Sequence, residues 1–241
     1  MANFGISVTN NSNSVMITSQ YKIMVFSERG TFRIQSQYTD REGSGSVTFV
    51  KPILTQEPPQ IFLRYVSGVH TDLGVYSTIL GSPGNWTGFR MTSAVRGGSS
   101  LQNYLIEYVS CKYADRQSTE LYGMSIWDEA GNILFSASDR IVRYSKFSKV
   151  WTKTNGDTVD IYKSNLTIDA DDFISVSSID RGVVWFADGA GFVGLNLMTA
   201  GVLVLNISAQ RSGGGYNYSQ GVAGQNFCIP VCKFPSARYY N

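Results

Sequence analysis

Residues Phe4-Gly5-Ile6-Ser7-Val8 return in the second half of the chain as Tyr122-Gly123-Met124-Ser125-Ile126, and the match runs on without a gap. Asn10 falls on Asp128, Val15-Met16-Ile17-Thr18 on Ile133-Leu134-Phe135-Ser136, Lys22-Ile23-Met24 on Arg140-Ile141-Val142, and Phe26-Ser27 on Tyr144-Ser145. Few identities survive, but apolar, polar and turn positions coincide. Each copy reads as a strand, a turn rich in Asn, Asp or Gly, and a second strand. Asp128-Glu129-Ala130-Gly131-Asn132 has hairpin chemistry, because Gly and Asn tolerate positive φ. Later segments echo each other more loosely: Gly88-Phe89 with Gly191-Phe192, and Tyr104–Ser110 with Val202–Ser208. A repeat of this length makes the chain two related units, residues 1–118 and 119–241.

Short runs rich in Val, Ile, Phe, Tyr and Thr recur along both halves, separated by Gly, Asn, Asp, Ser or Pro. Examples are Ser46–Val50, Gln60–Val66, Gly88–Thr92, Phe173–Ser177 and Val202–Ser208. Such spacing predicts strands of a sandwich or barrel. The best helical window, Ser110–Leu121, is short and polar, without an apolar stripe. The expected fold is therefore all-β: two related antiparallel β-sandwich units produced by an internal duplication.

Charged residues make up only 16% of the 241, against about 25% in ordinary globular domains. A net charge of +2 gives no basic field for nucleic acid. No apolar run approaches the roughly 18 residues of a membrane-spanning helix. Three cysteines, Cys111, Cys228 and Cys232, behind a start with no export-signal character, predict reduced thiols from synthesis in a cytoplasm.

The motifs that carry chemistry elsewhere are incomplete. Gly189-Ala190-Gly191-Phe192-Val193-Gly194 fits a dinucleotide fingerprint by letters. The fingerprint needs a following helix and an acidic residue about 20 positions on. Here strand-like residues follow and no acid does, so the run reads as a glycine-rich turn. His70 is the single histidine and lies in a loop-like stretch, which leaves no obvious triad. Cys228 and Cys232 supply half of a structural zinc set. Asp169, Asp171 and Asp172 could give oxygens to calcium, but the stretch lacks the glycine and terminal Glu of a calcium loop and reads as a solvated turn. The expectation is no catalytic site, no metal and no cofactor.

Two loops have recognition chemistry. Ser212–Gly221 carries Tyr216 and Tyr218 among Ser, Gly and Asn, the residues of adaptable binding loops. Gly84–Gly88 presents Trp86 at a glycine-bounded tip, able to stack on a sugar, to anchor a partner, or to pack back on its own sandwich. After Asp188 the chain has no acidic residue. Within it, Leu203 and Leu205 lie in a run that is apolar on both faces of any strand, and the segment from Phe227 raises the same difficulty. Cover from a second sheet or a neighbouring subunit is expected there.

Phe4–Val8 with Val15–Ser19, and Tyr122–Phe135 with its Asp-x-x-Gly-x-aliphatic turn, resemble the openings of small β-rich tail and virion structural proteins of tailed bacteriophages. That resemblance covers about 25 residues in each half. It implies a non-enzymatic virion protein of a tail tip or fibre, made in the host cytoplasm and assembled as a homo-oligomer, with a trimer favoured, alongside other virion proteins. The alternative is a receptor-binding module for a host surface glycan or protein. The resemblance brings no catalytic residues with it.

Overall fold

A computed structural model describes residues 5–7, 16–18, 22–36, 43–68, 74–94, 101–116, 122–155, 159–177, 184–186, 189–196, 201–209 and 228–241. No helix occurs among them. The first half contributes β1 (Gly5–Ser7), β2 (Met16–Thr18), β3 (Met24–Gln35), β4 (Gly43–Ile53), β5 (Gln60–Ser67), β6 (Gly74–Ser82), β7 (Asn85–Ala94) and β8 (Asn103–Tyr113). The second contributes β9 (Ser125–Trp127), β10 (Ile133–Ser136), β11 (Tyr144–Ser148), β12 (Trp151–Asn155), β13 (Val159–Ile168), β14 (Asp172–Ser175), β15 (Val184–Phe186), β16 (Gly189–Asn196), β17 (Gly201–Ala209) and β18 (Ile229–Lys233). The window Ser110–Leu121, the best but weak helical candidate, is strand through Tyr113. The glycine run at 189–194 lies inside β16 and is not a turn.

Pairing is antiparallel throughout, and a curled path links the strands in the order β11-β18-β14-β5-β8-β3-β4-β7-β6-β16-β17-β13-β12, with β15 on β16. The path folds over between β3 and β4, which pair only at Gln35 and Ser44. One layer is β3-β8-β5-β14-β18-β11 and the other is β4-β7-β6-β16-β17-β13-β12. Both layers face one core. Phe89 of β7 meets Phe32 of β3 edge-on at 5.5 Å and Tyr108 of β8 at 5.3 Å.

Alternation along each strand assigns its faces. In β5, Ile61, Leu63 and Tyr65 enter this core, while Phe62 faces the other way. There a second core forms from Phe62, Cys111, Phe173 and Cys232 under Phe234 and Tyr239 of the C-terminal segment. The middle of the first layer is thus buried on both faces, whereas most of β11 and the outer side of β3 at Thr31, Arg33 and Gln35 are exposed. For β18 this answers the question of cover: Ile229 and Val231 enter the inner core and Cys232 the outer one.

The repeat is written into the topology. The first half runs β5-β8-β3-β4-β7-β6 and the second β14-β18-(β11, β12)-β13-β17-β16, the same order with one long strand replaced by two short ones. The halves meet through corresponding strands. Leu63 of β5 pairs with Ile174 of β14, and Val75 of β6 with Leu195 of β16. Antiparallel pairing of like with like is what a twofold axis produces, and it leaves the two halves sharing both layers. By this order β8 corresponds to β18, so the looser echo between Tyr104–Ser110 and Val202–Ser208 does not mark equivalent strands.

The matched segments both form hairpins, β1 with β2 and β9 with β10. Ile6 faces Ile17 in the first; in the second, Phe135, the counterpart of Ile17, faces Ile126 and not Met124. The pairing slips again at a bulge between Phe135 and Ile133, which brings Ile133 opposite Trp127, so the two hairpins do not share one register. The stretches that follow the hairpins pair with each other: Phe26 N–H donates to Arg140 O at 2.9 Å and Val142 N–H to Met24 O at 3.0 Å. Residues 140–143 make only a bridge at Ile141 before β11 begins at Tyr144.

Candidate functional site: a groove beside the second hairpin

Trp86 is not a tip. The tip is Pro83-Gly84, with Gly84 at φ 82° between paired Ser82 and Asn85, where Pro followed by a glycine of positive φ suits a type II turn. Trp86 packs against the inner core, and its indole N–H donates to Thr55 O at 2.9 Å. Gly84 N–H donates to the same carbonyl at 3.0 Å. Thr55 Oγ donates to Glu57 O at 2.7 Å, and Lys22 pairs with Glu57 at 3.6 Å. Residues 54–57 are thereby held against the body from several sides.

Opposite them stands the β9–β10 hairpin. Its turn is organised by Asp128, whose carboxylate accepts from Ala130 N–H at 2.9 Å, Asn132 N–H at 2.7 Å and Asn132 Nδ2 at 2.8 Å. The Asn132 hydrogen bonds hold this carboxyl below the usual carboxylate range. Gly131 at φ 81° closes the turn. Leu134 is buried beneath, and its carbonyl accepts from Ile23 N–H at 3.4 Å. Between hairpin and segment 54–57 lies a groove of about 400 Å³ lined by Trp127, Leu54, Gln56, Asn132, Lys22 and Asp115. Trp127 is 45% exposed and Leu54 59%.

A second hollow, of about 520 Å³, opens where β3 and β4 part. Glu28 closes its floor: it accepts from Tyr108 OH at 2.7 Å and Val50 N–H at 2.9 Å. Burial, then the hydrogen bond to Glu28, pushes the Tyr108 hydroxyl well above its ordinary value. Asp139 also lines this hollow, and burial raises its carboxyl above the usual range.

Asp169, Asp171 and Asp172 do converge, with oxygens within 4.8 Å of one another. Two ammonium groups stand among them. Lys146 reaches Asp169 at 2.8 Å and Asp172 at 2.6 Å, and Lys233 reaches Asp171 at 2.6 Å. These pairs join β11, the β13–β14 turn and β18, so the cluster is a structural clamp. The three cysteines are free thiols, Cys111 and Cys232 buried and Cys228 exposed.

Leu203 and Leu205 lie in β17, where Leu205 pairs with Tyr162 and Leu195. Tyr216, Tyr218, Phe227 and His70 lie outside the described residues. Trp127 and its groove were not singled out by the sequence; the available signal was a Trp directly before an Asp-x-x-Gly-Asn turn. Comparisons with protein-family models, curated proteins and solved structures found no match.

Proposed function

We propose that the chain is a non-enzymatic structural protein of a virus particle, a tail-tip or tail-fibre component of a tailed phage that assembles with copies of itself, as a trimer, and with other virion proteins. The observation that carries this reading is a group of large apolar side chains left exposed on and around the second hairpin. Tyr122 is 90% exposed, Met124 43% and Trp127 45%, all on or beside the second hairpin, and Val50 and Leu54 on the neighbouring segment are 81% and 59% exposed. A group of this kind on a rigid β scaffold is suited to contact with another protein. Mass spectrometry and electron microscopy of purified particles test the reading. The chain should be present in a fixed copy number at one position in the tail; its absence from intact particles would refute it. The alternative, a receptor-binding module, draws on the groove at Trp127.

A further inference from the structure

We propose that the groove between the β9–β10 hairpin and residues 54–57 binds a saccharide, with Trp127 as the stacking surface. A sugar ring offers an apolar C–H face and a rim of hydroxyls. Its recognition calls for an exposed aromatic ring beside short polar groups that both donate and accept. The groove supplies these together. Trp127 forms the wall and Gln56 brings an amide; Asn132 offers its amide oxygen, its Nδ2 being held by Asp128, and Asp115 and Lys22, paired with Lys112 and Glu57, add further acceptor and donor capacity. Its volume of about 400 Å³ falls within the about 300–1,000 Å³ of small-molecule sites.

The walls are fixed before any ligand arrives. Trp86 and Gly84 both donate to Thr55 O on one side, and three hydrogen bonds to Asp128 hold the turn on the other. Preorganisation of this kind lowers the ordering cost that weakens binding to small polar ligands. The mixture of charges, one Lys and one Asp with two amides, fits a neutral or zwitterionic sugar better than a strongly anionic one.

The proposal does not depend on where the chain sits in a particle and is tested on the isolated protein. Chain labelled with 15N at Trp would be titrated with gluco-, galacto- and N-acetylglucosamine disaccharides while the four indole N–H signals are followed. At least one sugar should shift the Trp127 signal saturably and leave the Trp86 signal in place. Trp127→Ala should weaken that binding by about tenfold or more with the melting temperature unchanged, because the side chain is largely outside the core. Gln56→Ala should weaken it too while leaving the Trp127 signal available as reporter. The proposal is overturned if no sugar of the set moves the Trp127 signal, or if binding survives Trp127→Ala unchanged.

Discussion

Glu28 offers the sharpest test of how the two layers hold together where β3 and β4 separate. It is 7% exposed and accepts from Tyr108 OH and Val50 N–H, so it substitutes for the ladder that ceases beyond Gln35 and Ser44. Glu28→Ala leaves the buried Tyr108 hydroxyl unpartnered, at about 1–3 kcal/mol, and removes a charge-assisted bond of about 1.5–3 kcal/mol to Val50. Water entering the hollow recovers part of the second, because Val50 is at the surface. The net expectation is about 3 kcal/mol, or roughly 6–12 °C in melting temperature for a chain of this size. Tyr108→Phe should cost about 1 kcal/mol. The double variant should fall short of the sum by about 1–2 kcal/mol, because the two groups share one hydrogen bond. Chemical denaturation of the four proteins measures this. Additive costs, or a Glu28→Ala variant within about 0.5 kcal/mol of the parent, would refute the claim that this carboxylate bridges the layers.

Three further outcomes follow from the packing. Phe234 meets Phe62 at 5.3 Å and Phe173 at 5.4 Å; Phe234→Ala should cost about 3–5 kcal/mol and make Cys111 and Cys232 reactive toward a thiol reagent that otherwise modifies only Cys228. Burial holds both inner thiols above their ordinary value, Cys232 at about 12, so reactivity before unfolding would have to come from loosening of the C-terminal segment. Burial pushes Glu107 up, but hydrogen bonds and charge from Arg29 and Arg64 outweigh it and hold its carboxyl low. Its folded value lies below its unfolded one, so its contribution is present above about pH 4.3 and fades as pH falls through the folded value; Glu107→Gln should flatten the acid limb of a stability–pH curve. Asp172, with a fully buried side chain paired to Lys146, should cost about 2–4 kcal/mol when changed to Ala, measured by urea unfolding.

The parts of the fold that could be read in the sequence are those where polarity alternates cleanly. Both hairpins were legible because their strands and Asn- or Gly-bearing turns recur together. β6 was not, because its inward position Ser77 is polar and spends its hydroxyl on Val176 O, which breaks the alternation. The stretch from Ser110 looked polar enough for a helix, yet Ser110, Cys111 and Lys112 are all buried. Lys112 is accommodated by Asp115, three residues on, at 2.6 Å; the pair is local, but its burial comes from the surrounding fold. The edge-to-edge joining of the halves was equally hidden, since the pairings of β5 with β14 and β6 with β16 link strands far apart in the sequence. Trp86 was visible as an unusual residue, but its role beneath the groove floor depends on Thr55, far away in the chain.

The fused architecture also has a consequence for specialisation. Two separate copies of one half, joined by the same β5–β14 and β6–β16 pairings, would carry every surface feature twice and could alter neither copy alone. In the single chain the partner is always present at high effective concentration, and each half drifts independently. Trp127 corresponds in the repeat to Thr9, so the aromatic wall exists in one half only. Joining the halves in one chain thus breaks their symmetry: one half can keep the scaffold's framing role while the other carries a face of its own.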